Sequence, residues 1–175
     1  ADSWEQLTDY PGPARGYGIG DTWDGKLYFG FGLDGSGSLL NDLWEWDPIS
    51  NVFTELPSCP CDARVHPALV ADNGKIFMGS GGGTAGNLND FWIFDLNTQT
   101  WTQIANIPGK RHHPYQFSID GEIYVGNGHL ASWYKYNETN DSWISTASLP
   151  RRVAGSQFSY NGKGYSLSGA DNNHD

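Results

Sequence analysis

The stretch Arg64-Val65-His66-Pro67-Ala68-Leu69-Val70-Ala71-Asp72-Asn73-Gly74-Lys75-Ile76-Phe77-Met78-Gly79-Ser80-Gly81 decides the fold, because its frame recurs through the whole chain. An arginine opens it, an Asx-Gly pair follows ten residues on, and a second glycine closes it after seven more. The same frame starts at Arg15, Arg111 and Arg152, with turn glycines at Gly25, Gly121 and Gly162 and closing glycines at Gly32, Gly128 and Gly169. The turn glycines are 49, 47 and 41 residues apart. A period of 40–50 residues is the mark of a repeat architecture.

Each copy reads as four strands. Strand A is expected at His66 to Val70, Pro114 to Ile119 and Ala154 to Tyr160. The pairs Asp24-Gly25, Asn73-Gly74, Asp120-Gly121 and Asn161-Gly162 tolerate positive φ at both central positions and predict primed hairpin turns into strand B. Strand B runs into Gly30-Phe31-Gly32, Gly79-Ser80-Gly81, Gly126-Asn127-Gly128 and Leu167-Ser168-Gly169. Strand C is aromatic and ends at Asp47, Asp95 or Asn137; six residues later Phe53, Trp101 or Trp143 opens strand D. Four-stranded antiparallel sheets at this period are propeller blades.

These residues resemble the kelch-repeat family: an arginine after a proline loop, an Ile-Tyr-Val type strand into two glycines, an aromatic-x-aromatic-Asp strand and a tryptophan six residues on. The Gly-x-Gly spacing, in place of adjacent glycines, resembles secreted bacterial kelch-like proteins. The resemblance implies an all-β propeller. Its copies are expected over residues 15–63, 64–110, 111–151 and, in part, 152–175, with 1–14 supplying a D strand around Trp4. That makes about three and a half blades, too few for a closed ring. Either the chain is a piece of a longer one, or another chain completes the propeller.

Composition narrows the partners. The net charge of -10 lacks the basic surface that phosphate binding needs, so no nucleic acid is expected. No run of 18 or more apolar residues is present, so no helix is expected to span a membrane. The chain opens inside a repeat at Ala1-Asp2-Ser3-Trp4, which fits a mature terminus after leader removal or the start of a fragment. A secreted or cell-surface (extracellular or periplasmic) setting is expected. Cys59 and Cys61 have two open readings, a local disulfide or free thiols; a zinc site would want four ligands.

In an up-and-down sheet the D–A and B–C connections share one face. The variable loops lie there, and binding residues concentrate on variable loops of a rigid scaffold. The candidate binding residues are Arg15, Arg64, Arg111, Arg152, Asp34, Ser36, Asn87, His112 and His129. The arginines have two readings: a cationic ring at the channel mouth, or braces from each blade to its neighbour's carbonyls. His112 and His113, as neighbours in a strand, would point to opposite faces and not chelate together. Asp34 to Ser38 reads as a flexible loop, because it lacks the downstream glutamate of a calcium loop. No catalytic motif, metal site or cofactor is expected. The leading expectation is a non-catalytic scaffold that binds a protein or glycan. The rivals are a sugar-active enzyme, epimerase or oxidase-like, as the kelch resemblance allows, and a spacer in an extracellular assembly.

Overall fold

The computed structural model describes residues 2–171; Ala1 and residues 172–175 of the fourth copy lie outside it. Among the described residues there is no helix. The first blade contains β1 (Arg15–Gly16), β2 (Ile19–Trp23), β3 (Lys26–Asp34), β4 (Leu39–Asp47) and β5 (Val52–Leu56), with β1 and β2 both paired to β3. The second orders β6 (Ala68–Asp72), β7 (Lys75–Gly79), β10 (Phe91–Asp95) and β11 (Thr100–Ile104) from inside outward, and its B–C loop carries the small hairpin β8 (Gly82–Gly83) and β9 (Gly86–Asn87). The third orders β12 (Tyr115–Ile119), β13 (Glu122–Gly126), β14 (Trp133–Asn137) and β15 (Ser142–Ser145). The fourth copy shows β16 (Ser156–Tyr160) and β17 (Lys163–Leu167) alone. Strands β2, β6, β12 and β16 lie side by side as the innermost strands.

The turns form as their dipeptides demand. Asp24 and Gly25 have φ of 50° and 76°, and the other three Asx-Gly pairs repeat this, which is the type I′ geometry that matches strand twist. The Gly-x-Gly motif has an equally local cause. A Cβ on Gly79 would stand 2.4 Å from the Asp90 carbonyl oxygen of strand C, and one on Gly81 would stand 2.7 Å from the Val65 carbonyl oxygen. Between them Ser80 is left-handed, at φ 56°. In the fourth copy the first glycine is Leu167, 49% exposed, where no described C strand crosses it.

Two aromatic and aliphatic clusters join the first three blades. One places Tyr28, Phe31 and Leu43 of the first blade against Leu69, Ile76, Met78 and Phe94 of the second. The other places Val70, Phe77 and Phe91 of the second against Ile123, Val125 and Tyr136 of the third. At the fourth copy Phe158 and Tyr160 remain exposed.

Two expectations need correction. Strand A begins four residues after each arginine, later than the pattern predicts, so His66, Pro114 and Ala154 precede it. The residue two after the arginine is left-handed in every copy: Tyr17 at 61°, His66 at 49°, His113 at 50° and Ala154 at 55°. Backbone links across blades hold that step, His66 N donating to Tyr17 O and His113 N to His66 O. The D strand around Trp4 is not formed. Residues 2–14 hold no strand and Trp4 is fully exposed. A lone strand is not stable without a neighbour, and the described fourth copy offers no C strand to pair with it. Tyr10 instead packs edge-on against Phe29, Trp44 and Phe53.

Candidate functional site

The arginines are built into their own blades. Arg64 is fully buried; its Nη1 and Nη2 donate to Asp90 Oδ1 and Oδ2, both at 2.8 Å, its Nε to Asp62 O at 2.8 Å, and Nη1 also to Ser80 O at 3.0 Å. Arg15 repeats this with Asp42 at 2.7 and 2.6 Å and with Phe31 O at 3.0 Å, and it also contacts the Tyr10 hydroxyl. The indoles of Trp44 and Trp92 donate to the same two carboxylates at 2.8 Å. Burial by itself would raise the Asp42 and Asp90 carboxyls, but the arginine and indole donors outweigh it and hold both below the ordinary value. Arg64 also reaches the preceding copy, through Nε to Asp62 O and through its own carbonyl, which accepts from Gly32 N at 2.8 Å, whereas the carboxylate pair is internal to a blade. Its sequence signal, Asp-x-Trp at Asp42–Trp44 and Asp90–Trp92, is legible but was not among the candidates.

The third and fourth arginines differ. Arg111 is equally buried, yet its partners are the carbonyls of Gly109, Asn127, Ser132 and Pro108 and the Ser132 hydroxyl, with the Tyr134 ring 5.5 Å from its guanidinium carbon. Ser132 stands where the first two blades have aspartate, so burial pushes the guanidinium down and no carboxylate opposes it. Arg152 is half-buried and donates to Arg151 O at 2.9 Å.

Histidines from different copies meet at the channel mouth. The Tyr17 and His66 rings are 4.7 Å apart, His66 and His113 stack at 3.4 Å, His113 and His112 lie at 4.8 Å, and His112 and His129 at 4.9 Å. Asn87 Nδ2 lies 3.4 Å from His129 Nε2. The expected divergence of His112 and His113 fails because neither is in a strand, and the left-handed backbone at His113 brings the rings together. Burial, followed by the charge of His112, holds the His66 imidazole below its ordinary value. Burial, followed by Arg111 and Arg151, does the same to His129, partly offset by the Lys110 backbone. Among the described residues no group of three or more His, Cys, Asp or Glu side chains could hold a metal ion.

A family model for the Kelch motif matches residues 80–108, from the Gly-x-Gly of the second blade to the proline loop after its D strand. A solved structure titled "Structure of YjhT" superposes with a TM-score of 0.74 at 18% identity, over 89% of this chain and 59% of that one. The chain carries a Kelch motif on propeller blades. Among kelch relatives, mouse Kelch-like protein 35 is 28% identical over 62% of this chain and 19% of its own length. N-acetylneuraminate epimerase of Haemophilus influenzae is 22% identical over 98% of this chain and 57% of its own length. The chain thus spans about a fifth of the length of the kelch-like relatives it matches.

The remaining candidate residues sit on the B–C loops of the blades. Asp34 and Ser36 close a tight turn, not a flexible loop: Asp34 Oδ1 accepts from Ser36 N at 2.8 Å, Ser36 Oγ at 2.7 Å and Ser38 N at 2.9 Å. These donors, the Ser36 side chain first, hold the Asp34 carboxyl below its ordinary value. The turn caps the long β3–β4 hairpin. Cys59 and Cys61 are joined in a disulfide, and Cys59 is buried in the cluster between the first and second blades.

Proposed function

We propose that this kelch chain is a binding module that accepts a protein or glycan partner on its D–A/B–C face and carries out no chemistry of its own. The observation behind this reading is the ring sequence Tyr17–His66–His113–His112–His129, which brings side chains of three copies to one mouth, with Tyr17 58% exposed at its end. The arginine braces account for the blades' internal order without it. Flat rings with polar edges suit sugar faces and peptide side chains alike. A secreted or surface setting belongs to the same proposal, and the Cys59–Cys61 disulfide supports it. The test is a screen of the chain against a glycan array and a peptide library, with hits mapped by hydrogen exchange. Hits should protect residues 109–113 and 129–132 and vanish in Tyr17→Ser and His113→Asn. Hits protecting only the opposite turns, such as Asp47 to Asn51, would sink the reading.

A second reading, a sugar-active enzyme, is favoured by one observation: His66 and His129 are held toward the neutral form that a general base requires. The similarity to N-acetylneuraminate epimerases points the same way. Proton NMR of N-acetylneuraminate anomers mixed with the chain separates the two, since only the enzyme accelerates their exchange.

A further inference from the structure

The innermost strands β2, β6, β12 and β16 border a cavity of about 530 Å³ toward their A–B turns, on the opposite side from the histidine mouth. Its lining carries the carboxylates of Asp21, Asp72 and Asp120 and, among the described residues, no lysine, arginine or histidine. Gln116 lines it as well. That residue is 6% exposed, and its buried Oε1 has no hydrogen-bond partner among the described residues. Buried acceptors in native folds are paired, so this one calls for a donor from outside the chain.

The hydroxyls nearby are already committed. Ser118 Oγ donates to Asp72 Oδ2 at 2.7 Å, and Ser159 Oγ donates to the Ser118 carbonyl. Asp21 accepts from the backbone amides of Thr22 and Ala71, at 2.8 and 2.9 Å. Burial raises the Asp21 carboxyl, those two amides oppose the rise, and the charge of Asp72 adds to it. The acceptors are also staggered along the strands. Counted back from the turn glycines, Gln116 stands five positions away, Asp21 four, Asp72 two and Asp120 one. That stagger is a rise of about 13 Å, at about 3.3 Å per residue. Among the described residues no three acids could share one metal ion. An ammonium group has three donors and no acceptor. Several ammonium groups joined by methylenes can follow a staggered row of acceptors where a point charge cannot.

We propose that this cavity binds a linear aliphatic polyamine, with one ammonium on Gln116 Oε1 and the others on the carboxylates of Asp21, Asp72 and Asp120. The site is independent of the binding reading above, since it lies at the other end of the innermost strands and uses none of the same residues.

The experiment is calorimetric titration of the chain with spermidine at pH 7.5, with putrescine and magnesium ion as comparisons. The expected result is one saturable site that takes spermidine about tenfold more tightly than putrescine, which has one charged donor group fewer. Gln116→Leu leaves the net charge alone and removes the orphan acceptor, so it should weaken spermidine binding about tenfold at an equal or higher melting temperature. Asp120→Asn keeps its turn, because Asn73 and Asn161 stand at that place in other copies, and should weaken binding about threefold. Asp47→Asn, which removes an acid outside the cavity, should leave binding unchanged. If Gln116→Leu does not fold, the contrast between Asp120→Asn and Asp47→Asn decides. Parent-like binding by folded Gln116→Leu, equal effects of the two aspartate changes, or displacement of spermidine by an equal concentration of magnesium would each reduce the binding to the ionic atmosphere of an acidic chain and overturn the proposal. Absence of saturable binding, or tighter binding of a trilysine peptide than of spermidine, would overturn it as well.

Discussion

Arg64 and Arg111 occupy the same place in successive blades, are equally buried, and differ in the side chain they meet across the B–C loop. Arg64 has Asp90 across the B–C loop, while Arg111 has Ser132. In the second blade the charge is closed within an ion pair that also holds the Trp92 indole. In the third the cation is satisfied by carbonyls, its charge is not cancelled, and its field reaches His129. Hydrogen-bond satisfaction and charge compensation are separate requirements, and a repeat can meet the first while leaving the second open for a site.

The largest effect that tests this comparison is Arg64→Ala, which strands the Asp90 carboxylate and the carbonyls of Asp62 and Ser80. The expected loss is about 3–5 kcal/mol by urea denaturation, the range for breaking a buried pair. Arg111→Met strands no acid and should cost less, about 1–3 kcal/mol. Equal losses at the two sites would break the comparison. Of similar size to the Arg64 effect is Gly79→Ala, about 3 kcal/mol, because its Cβ would meet Asp90 O and the Phe91 ring. Leu167→Gly, at the same place in the fourth copy, should change stability by under about 1 kcal/mol.

Acid separates the blades more gently. His66 and His129 have lowered values in the fold, so the native state binds fewer protons than the unfolded chain. Stability therefore falls as pH drops below about 6.5, the ordinary histidine value. Asp42 and Asp90 are also lowered, and their contribution persists until pH falls below about 4, the ordinary carboxylate value. Two steps are expected in a plot of melting temperature against pH. The upper step should be reduced in His66→Asn, and its persistence there would clear that histidine. The smallest effect sharpens the comparison most. Ser132→Asp should give Arg111 the missing acid and move the His129 NMR titration upward, with little change in stability. An unmoved titration would show that Arg111 does not set it.

The blades and their turns could be read directly from the residues because their causes are short-range. Asn73-Gly74 makes its turn wherever it stands, alternation along Lys75 to Met78 makes a strand, and Gly79 and Gly81 mark where another backbone must pass. The arginine frame was legible for the same reason, but its role was not. Whether Arg64 or Arg111 meets an acid depends on a residue some 20 positions away, across loops whose lengths differ between copies. The reading of residues 1–14 as a D strand failed where pairing required a C strand that the described fourth copy does not supply. His66 belongs to the second copy and His112, His113 and His129 to the third. Only the left-handed step after each arginine, and the stacking of one blade on the next, brings their rings to one mouth. Local backbone preference and periodicity thus determined that this chain forms blades. The tertiary arrangement decided which charges are cancelled and which side chains meet, because Coulomb and ring contacts act between residues that the sequence keeps far apart.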